Sequence, residues 1–166
     1  MNEGLVISDS GPIFSLAIVD KLSILEVIFG EIAIPKAVWE EVTKDQETAY
    51  YDRIADFFKD RVRVISGFNE LTFVMDYGES ESVVLYRELN ANYLLIDDKK
   101  ARRLAENLGI NCIGTIGVLS VAKDKGLVEE LRPLFERFLN HKRYYGLNLL
   151  NSILTKHGEE AIGNEG

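Results

Sequence analysis

Cysteine, histidine and proline are scarce in this chain, and each scarcity narrows what it can be. The lone cysteine, Cys112, has no internal partner, which excludes a disulfide-stapled secreted scaffold. It lies in an apolar run and reads as a small buried hydrophobe. The two histidines, His141 and His157, sit far down the chain without ligand-like spacing, so zinc and histidine-based catalysis fit poorly. Phosphate-cradling glycine loops of the GxxxxGK[ST] or GxGxxG type are missing. No apolar run approaches the ~20 residues needed to cross a bilayer. The start, MNEGLVISDSGP, carries acid where a secretory leader would be basic, so the expectation is a cytoplasmic protein with no membrane association. Three isolated prolines and no repeat leave no linker, and 166 residues suit one domain spanning 1–166.

What is present is a chain 46% hydrophobic, enough to bury a sizeable core. Its 27 acidic and 19 basic side chains leave a net charge of -8. Long-range attraction alone therefore does not bring nucleic acid to it. Chemistry on phosphodiesters requires bound divalent cations to reverse the local field. The informative question is where the acids gather.

Apolar runs over residues 4–8, 32–34, 62–65, 93–96 and 110–113 read as strands. Between them, residues 13–19, 23–29, 35–44, 48–59, 77–89, 99–108 and 115–123 read as helices. Gly109 and Gly126 are placed to end helices in the left-handed conformation. A helical tail follows from about residue 127, over 127–139 and 147–157. Such alternation predicts an α/β fold, a mostly parallel sheet covered on both faces, with its site at the carboxyl ends of the strands.

Acids stand at that edge. Asp9 follows the first strand, a position where aspartate often caps a helix. Asp97 and Asp98 follow the fourth run. One of the pair can cap the helix near Lys99, and the other then has no structural duty. In Pro35-Lys36-Ala37-Val38-Trp39-Glu40-Glu41-Val42, Glu40 is spaced to pair with Lys36 and Lys44, whereas Glu41 lies nearer the buried side. In Gly78-Glu79-Ser80-Glu81, Glu79 shares a face with Val83 and Tyr86, while Glu81 is rotated by about 200°. Ser10 can hold a metal-bound water or form a turn, and Thr115 can cap a helix or offer amides to a phosphate. Lys99, Lys100, Arg102 and Arg103 follow the acid pair and can touch phosphates or simply form a solvated face.

The blocks Ser8-Asp9-Ser10-Gly11-Pro12, Ile34 to Val42, Gly78-Glu79-Ser80-Glu81, Leu95-Ile96-Asp97-Asp98-Lys99-Lys100-Ala101-Arg102 and Ile113-Gly114-Thr115-Ile116-Gly117 occur in an order that resembles PIN-domain proteins. The likeness is to the small prokaryotic branch related to VapC-like toxin ribonucleases. It implies a three-layer α/β/α sandwich and cleavage of single-stranded RNA by two-metal phosphodiester hydrolysis with Mg²⁺ or Mn²⁺. It further implies catalytic roles for Asp9, Glu41, Glu79 and Asp98, with Asp97 a further metal ligand and the alternative if the register slips by one. Ser10, Thr115, Lys99 and Arg102 are the substrate contacts expected. A toxin role would bring a small antitoxin protein. PIN proteins commonly dimerise, and Phe135, Phe138, Leu139, Tyr144 and Tyr145 are candidate contacts between copies. The competing function is a catalytically silent PIN-fold module that binds nucleic acid or a protein partner. A receiver-type phosphotransfer domain wants an acid pair after its first strand, and a haloacid-dehalogenase-like phosphatase wants Asp-x-Asp there. Ser8-Asp9-Ser10-Gly11 supplies neither.

Overall fold

The computed structural model describes residues 4–67 and 69–163, so the acidic start at Glu3 lies outside them. The chain divides into two compact units, Met1–Thr115 and Ile116–Gly166.

The first unit runs β1 (Gly4–Ser8), α1 (Ser10–Ile18), α2 (Ile24–Phe29), β2 (Gly30–Pro35), α3 (Lys36–Val42), α4 (Tyr51–Phe58) and β3 (Val62–Arg63). A 3-10 turn (Glu70–Phe73), α5 (Tyr77–Glu88), β4 (Tyr93–Leu95), α6 (Lys99–Asn107) and β5 (Cys112–Ile113) complete it. All strand pairs are parallel, in the order β3-β2-β1-β4-β5. This is the α/β/α architecture the alternation predicts. Ile7 lies opposite Ala33 and Leu94, and these side chains join Val83 of α5 and Ala101 and Ala105 of α6 in one buried cluster. The other face carries Val6, Ile32 and Tyr93, with the Phe29 ring of α2 at 5.4 Å from that of Tyr93. A strand covered on both faces is apolar throughout, which is why β1 reads as an unbroken hydrophobic run. Truncating the fully buried Ile7 to alanine would remove roughly 2–5 kcal/mol.

The strand order reverses at β1 and β4, and that crevice is where open parallel sheets place their ligands. Some elements are shorter than the sequence pattern predicts. The two edge strands keep two residues each, and beyond β3 Val64 turns out to solvent at 71% exposure. α1 starts at Ser10, with Pro12 in its first turn where no intrahelical amide bond is needed. Gly109 ends α6 with φ 81°, as its position predicts.

α7 (Thr115–Asp124) starts on the last residue of the first unit, and the second unit holds the rest of it with α8 (Arg132–Asn140) and α9 (Leu147–Lys156). α8 begins five residues later than expected because residues 127–131 form the turn leading into it. Glu159 accepts the Leu131 and Arg132 amides, both at 2.9 Å, and pairs with Lys123. Burial pushes its carboxyl up, but those amides and Lys123 outweigh it and leave the group below its ordinary value. His157 is a structural residue, 2.8 Å from the Ser120 hydroxyl. Phe135 and Phe138 are fully buried and stacked on each other, which removes them as contacts for a second copy; Tyr144 is exposed.

Candidate active site at the carboxyl edge

Asp9 leaves the end of β1, where its own amide bonds the Leu95 carbonyl of β4 at 2.9 Å. It occupies the N-cap position of α1, yet its side chain makes no capping bond to that helix. The structural role that most often explains an aspartate after a strand is therefore not filled here. The residue is only 6% exposed. Burial first, then the charges of Asp76, Glu41 and Asp97, against the opposing pull of the Ser10 amide, raise its carboxyl to about 7. Ser10, the first residue of α1, thus supports Asp9 through its backbone and is itself 8% exposed.

Glu41 comes from α3 and reaches the same place although its side chain is largely exposed. Gly78 marks the meeting point. A Cβ there would lie 3.1 Å from the Glu41 Oε2 and 3.5 Å from the Asp9 Oδ1, so the absence of a side chain leaves both carboxylates room to converge. Glu79, next along α5, is locked into a capping box. Its amide donates to the Asp76 Oδ1 at 2.8 Å, and its Oε1 accepts from the Asp76 amide at 3.2 Å. Burial first, then the bond and charge of Asp76 and the charge of Asp9, raise the Glu79 carboxyl to about 7. Asp76 is the acid that sequence reading overlooks, although Asp-x-x-Glu ahead of a helix is the sequence form of that box. The facing argument also misplaces Glu81. It is 8% exposed and accepts the Ala37 amide of α3 at 3.3 Å, because α5 is buried against α3 as well as against the sheet.

After β4 the two aspartates separate. Asp98 is the N-cap of α6 and accepts the Ala101 amide at 2.8 Å. Asp97 accepts both the amide and the hydroxyl of Thr115, at 2.8 and 2.7 Å, and supplies the charge that reaches Asp9. The expected order of the pair is thereby reversed: Asp97 joins the cluster and Asp98 holds the helix. Thr115 acts on Asp97 rather than offering free donors to a phosphate. Arg102 pairs with Glu106 at 2.9 Å, and its Nη1 comes as near as the Asp97 Oδ1 to the space beside Gly114, each 3.3 Å from where a Cβ would sit. Lys99, Lys100 and Arg103 are exposed along α6.

The structure thus brings Glu41, Asp76, Glu79 and Asp97 within electrostatic range of Asp9. All donors are hard oxygens, burial and like charge raise the Asp9 and Glu79 carboxyls to about 7, and Gly78 keeps a cradle open between Asp9 and Glu41. Among the described residues no three such side chains stand at closed ligand spacing. Mg²⁺ is commonly held by only one or two carboxylates plus waters and substrate phosphate, so an open pair with flanking acids fits it. Cys112 takes no part, since burial raises its thiol to about 11.

No individual curated protein matches the chain. A family model described as PIN domain matches residues 5–159. That span contains the parallel sheet, the strand-end aspartates and the acids of α3 and α5, and by it the chain belongs to the PIN-domain family, whose fold is of the nuclease type.

Proposed function

We propose that the chain is a metal-dependent endonuclease that hydrolyses single-stranded RNA at the Asp9 cluster. The convergence of Asp9 and Glu41 over Gly78, with Asp97 and Glu79 behind them, is the observation that supports this reading. Asp9 and Glu41 would hold Mg²⁺ or Mn²⁺, with Asp97 fixed as the next oxygen donor by Thr115. When bound, such an ion supplies charge stabilisation to a phosphoryl oxygen and acidifies a bound water. The chain's own residues do the rest. Glu79, with its carboxyl raised to about 7, takes up or releases a proton in the working pH range without any histidine. Arg102 and Lys99 flank the acids and meet phosphates of the strand. A toxin role, with a small antitoxin protein covering the acids, belongs to the same reading, as does a homodimer.

The test is Mn²⁺ calorimetry on the wild type and on Asp9→Asn, with cleavage of a fluorogenic single-stranded RNA followed in parallel. Binding and cleavage should both vanish in the variant. Wild-type protein that neither binds Mn²⁺ nor cuts RNA would overturn the proposal and leave a silent binding module.

A further inference from the structure

A groove of about 390 Å³ opens beside the acid cluster, lined by Phe14, Glu41, Val42, Lys44, Asp45 and Thr48. Glu41 belongs to both the groove and the acid cluster. Its size falls within the roughly 300–1,000 Å³ usual for small-ligand clefts. The floor is apolar, with the half-buried ring of Phe14 from α1 and Val42 from the end of α3. The rim is polar. Glu40 pairs with Lys36 at 3.8 Å, so Lys44, which the sequence spacing would also pair with it, makes no ion pair among the described residues. Asp45 has one carboxylate oxygen on the Glu47 amide, and the Thr48 hydroxyl donates to the Asp45 carbonyl.

We propose that this groove seats an unpaired nucleobase of the strand being cut, stacked on Phe14, with the adjoining phosphate met by Lys44. The assignment rests on the nuclease reading of the neighbouring acids. An aromatic ring, acceptor oxygens at the edge and one lysine match a nucleotide in each of its parts: ring, N–H edge and phosphate. Lys44 is the one cation in the groove's lining and makes no ion pair among the described residues, so it is the group there that a phosphate can meet. Stacking is tolerant of base identity because every base has a π-face.

The experiment uses the full chain with Mn²⁺ and two fluorescent eight-residue strands, an oligoadenylate and an abasic ribose-phosphate strand of equal length. Anisotropy is read within seconds of mixing, and the same tubes are run on a gel for cleavage. The wild type should hold the oligoadenylate about ten-fold tighter than the abasic strand. Phe14→Leu, which keeps the groove apolar, should lose that preference, and Phe14→Trp should keep it. Lys44→Gln should weaken both strands and lower the salt slope by about 0.7. Equal wild-type affinity for the two strands, or a preference untouched by Phe14→Leu, overturns the groove assignment; if cleavage persists, the nuclease reading stands. Absence of cleavage with a Phe14-dependent preference overturns the nuclease reading alone. Failure both to bind and to cut either strand overturns both.

Discussion

Asp9→Asn should make the protein more stable at neutral pH. The carboxyl stands at about 7 in the folded chain against an ordinary 3.8. A raised carboxylate means the folded state binds the proton more tightly than the unfolded one. Its contribution is therefore fully present below about pH 4, falls as pH rises, and is lost above about pH 7. Each pKa unit is worth about 1.4 kcal/mol, so ionised Asp9 holds back roughly 4 kcal/mol at pH 8. Asparagine keeps the shape without the charge. Denaturant unfolding followed by the fluorescence of Trp39, the sole tryptophan and a neighbour of Glu41 on α3, reports on the unit that carries the site. The variant and wild type should be close at pH 4.5, with the variant ahead by roughly 2–4 kcal/mol at pH 8. Adding Mn²⁺ at pH 8 should stabilise the wild type and leave the variant unmoved. A variant no more stable than wild type at pH 8, or a gap independent of pH, would show that Asp9 is not held against its charge.

Asp97→Asn should abolish Mn²⁺ binding, whereas Asp98→Ala should keep it and cost about 1 kcal/mol as a lost helix cap, both measurable on one calorimeter and one melting curve. Gly78→Ala should fold with near-normal stability, because alanine favours the helix and the exposed Glu41 side chain can swing aside; its Mn²⁺ affinity should drop at least about ten-fold as Glu41 leaves Asp9. Asp76→Asn should lower the Glu79 carboxyl toward its ordinary value, so the acidic limb of the cleavage pH profile should move below that of the wild type.

The positions that sequence alone made legible are those set by strand ends. Asp9 and the Asp97-Asp98 pair follow apolar runs, and parallel topology carries them to one edge whatever the loops do. The choice within the pair depends on where α6 begins. With Lys99 as its first residue the cap falls on Asp98, a one-residue matter that periodicity does not resolve. Glu79 and Glu81 fall on different sides only for a helix with one buried face. α5 has two, against the sheet and against α3, so Glu81 is more buried than Glu79. The spacing of Asp76 to Glu79 is that of a capping box, but Asp76 lies ahead of the apolar pattern of α5, outside the helix that periodicity marks. The closeness of Glu41 to Asp9 depends on Gly78, whose role appears only when three segments distant in the chain meet.

The acids arrive on supports of unequal firmness. Asp9 hangs from the central strand, whose neighbours Val6 and Ile7 are fully enclosed. Asp76 and Glu79 follow a segment tied down by a handful of bonds: the Ser66 and Gly67 backbone amides on Glu88, and the Asn69 side-chain Nδ2 on the Ser80 hydroxyl. Phe73 and Val74 of that segment stand out at 86% and 55% exposure. Amide exchange should therefore be slow along β1 and fast at residues 66–67 and 69–76, through local opening that leaves the sheet closed. Repulsion among the carboxylates favours that opening, and a cation opposes it. The ion would then act as a clasp, slowing exchange at Val74, Met75 and Glu79 while leaving β1 untouched.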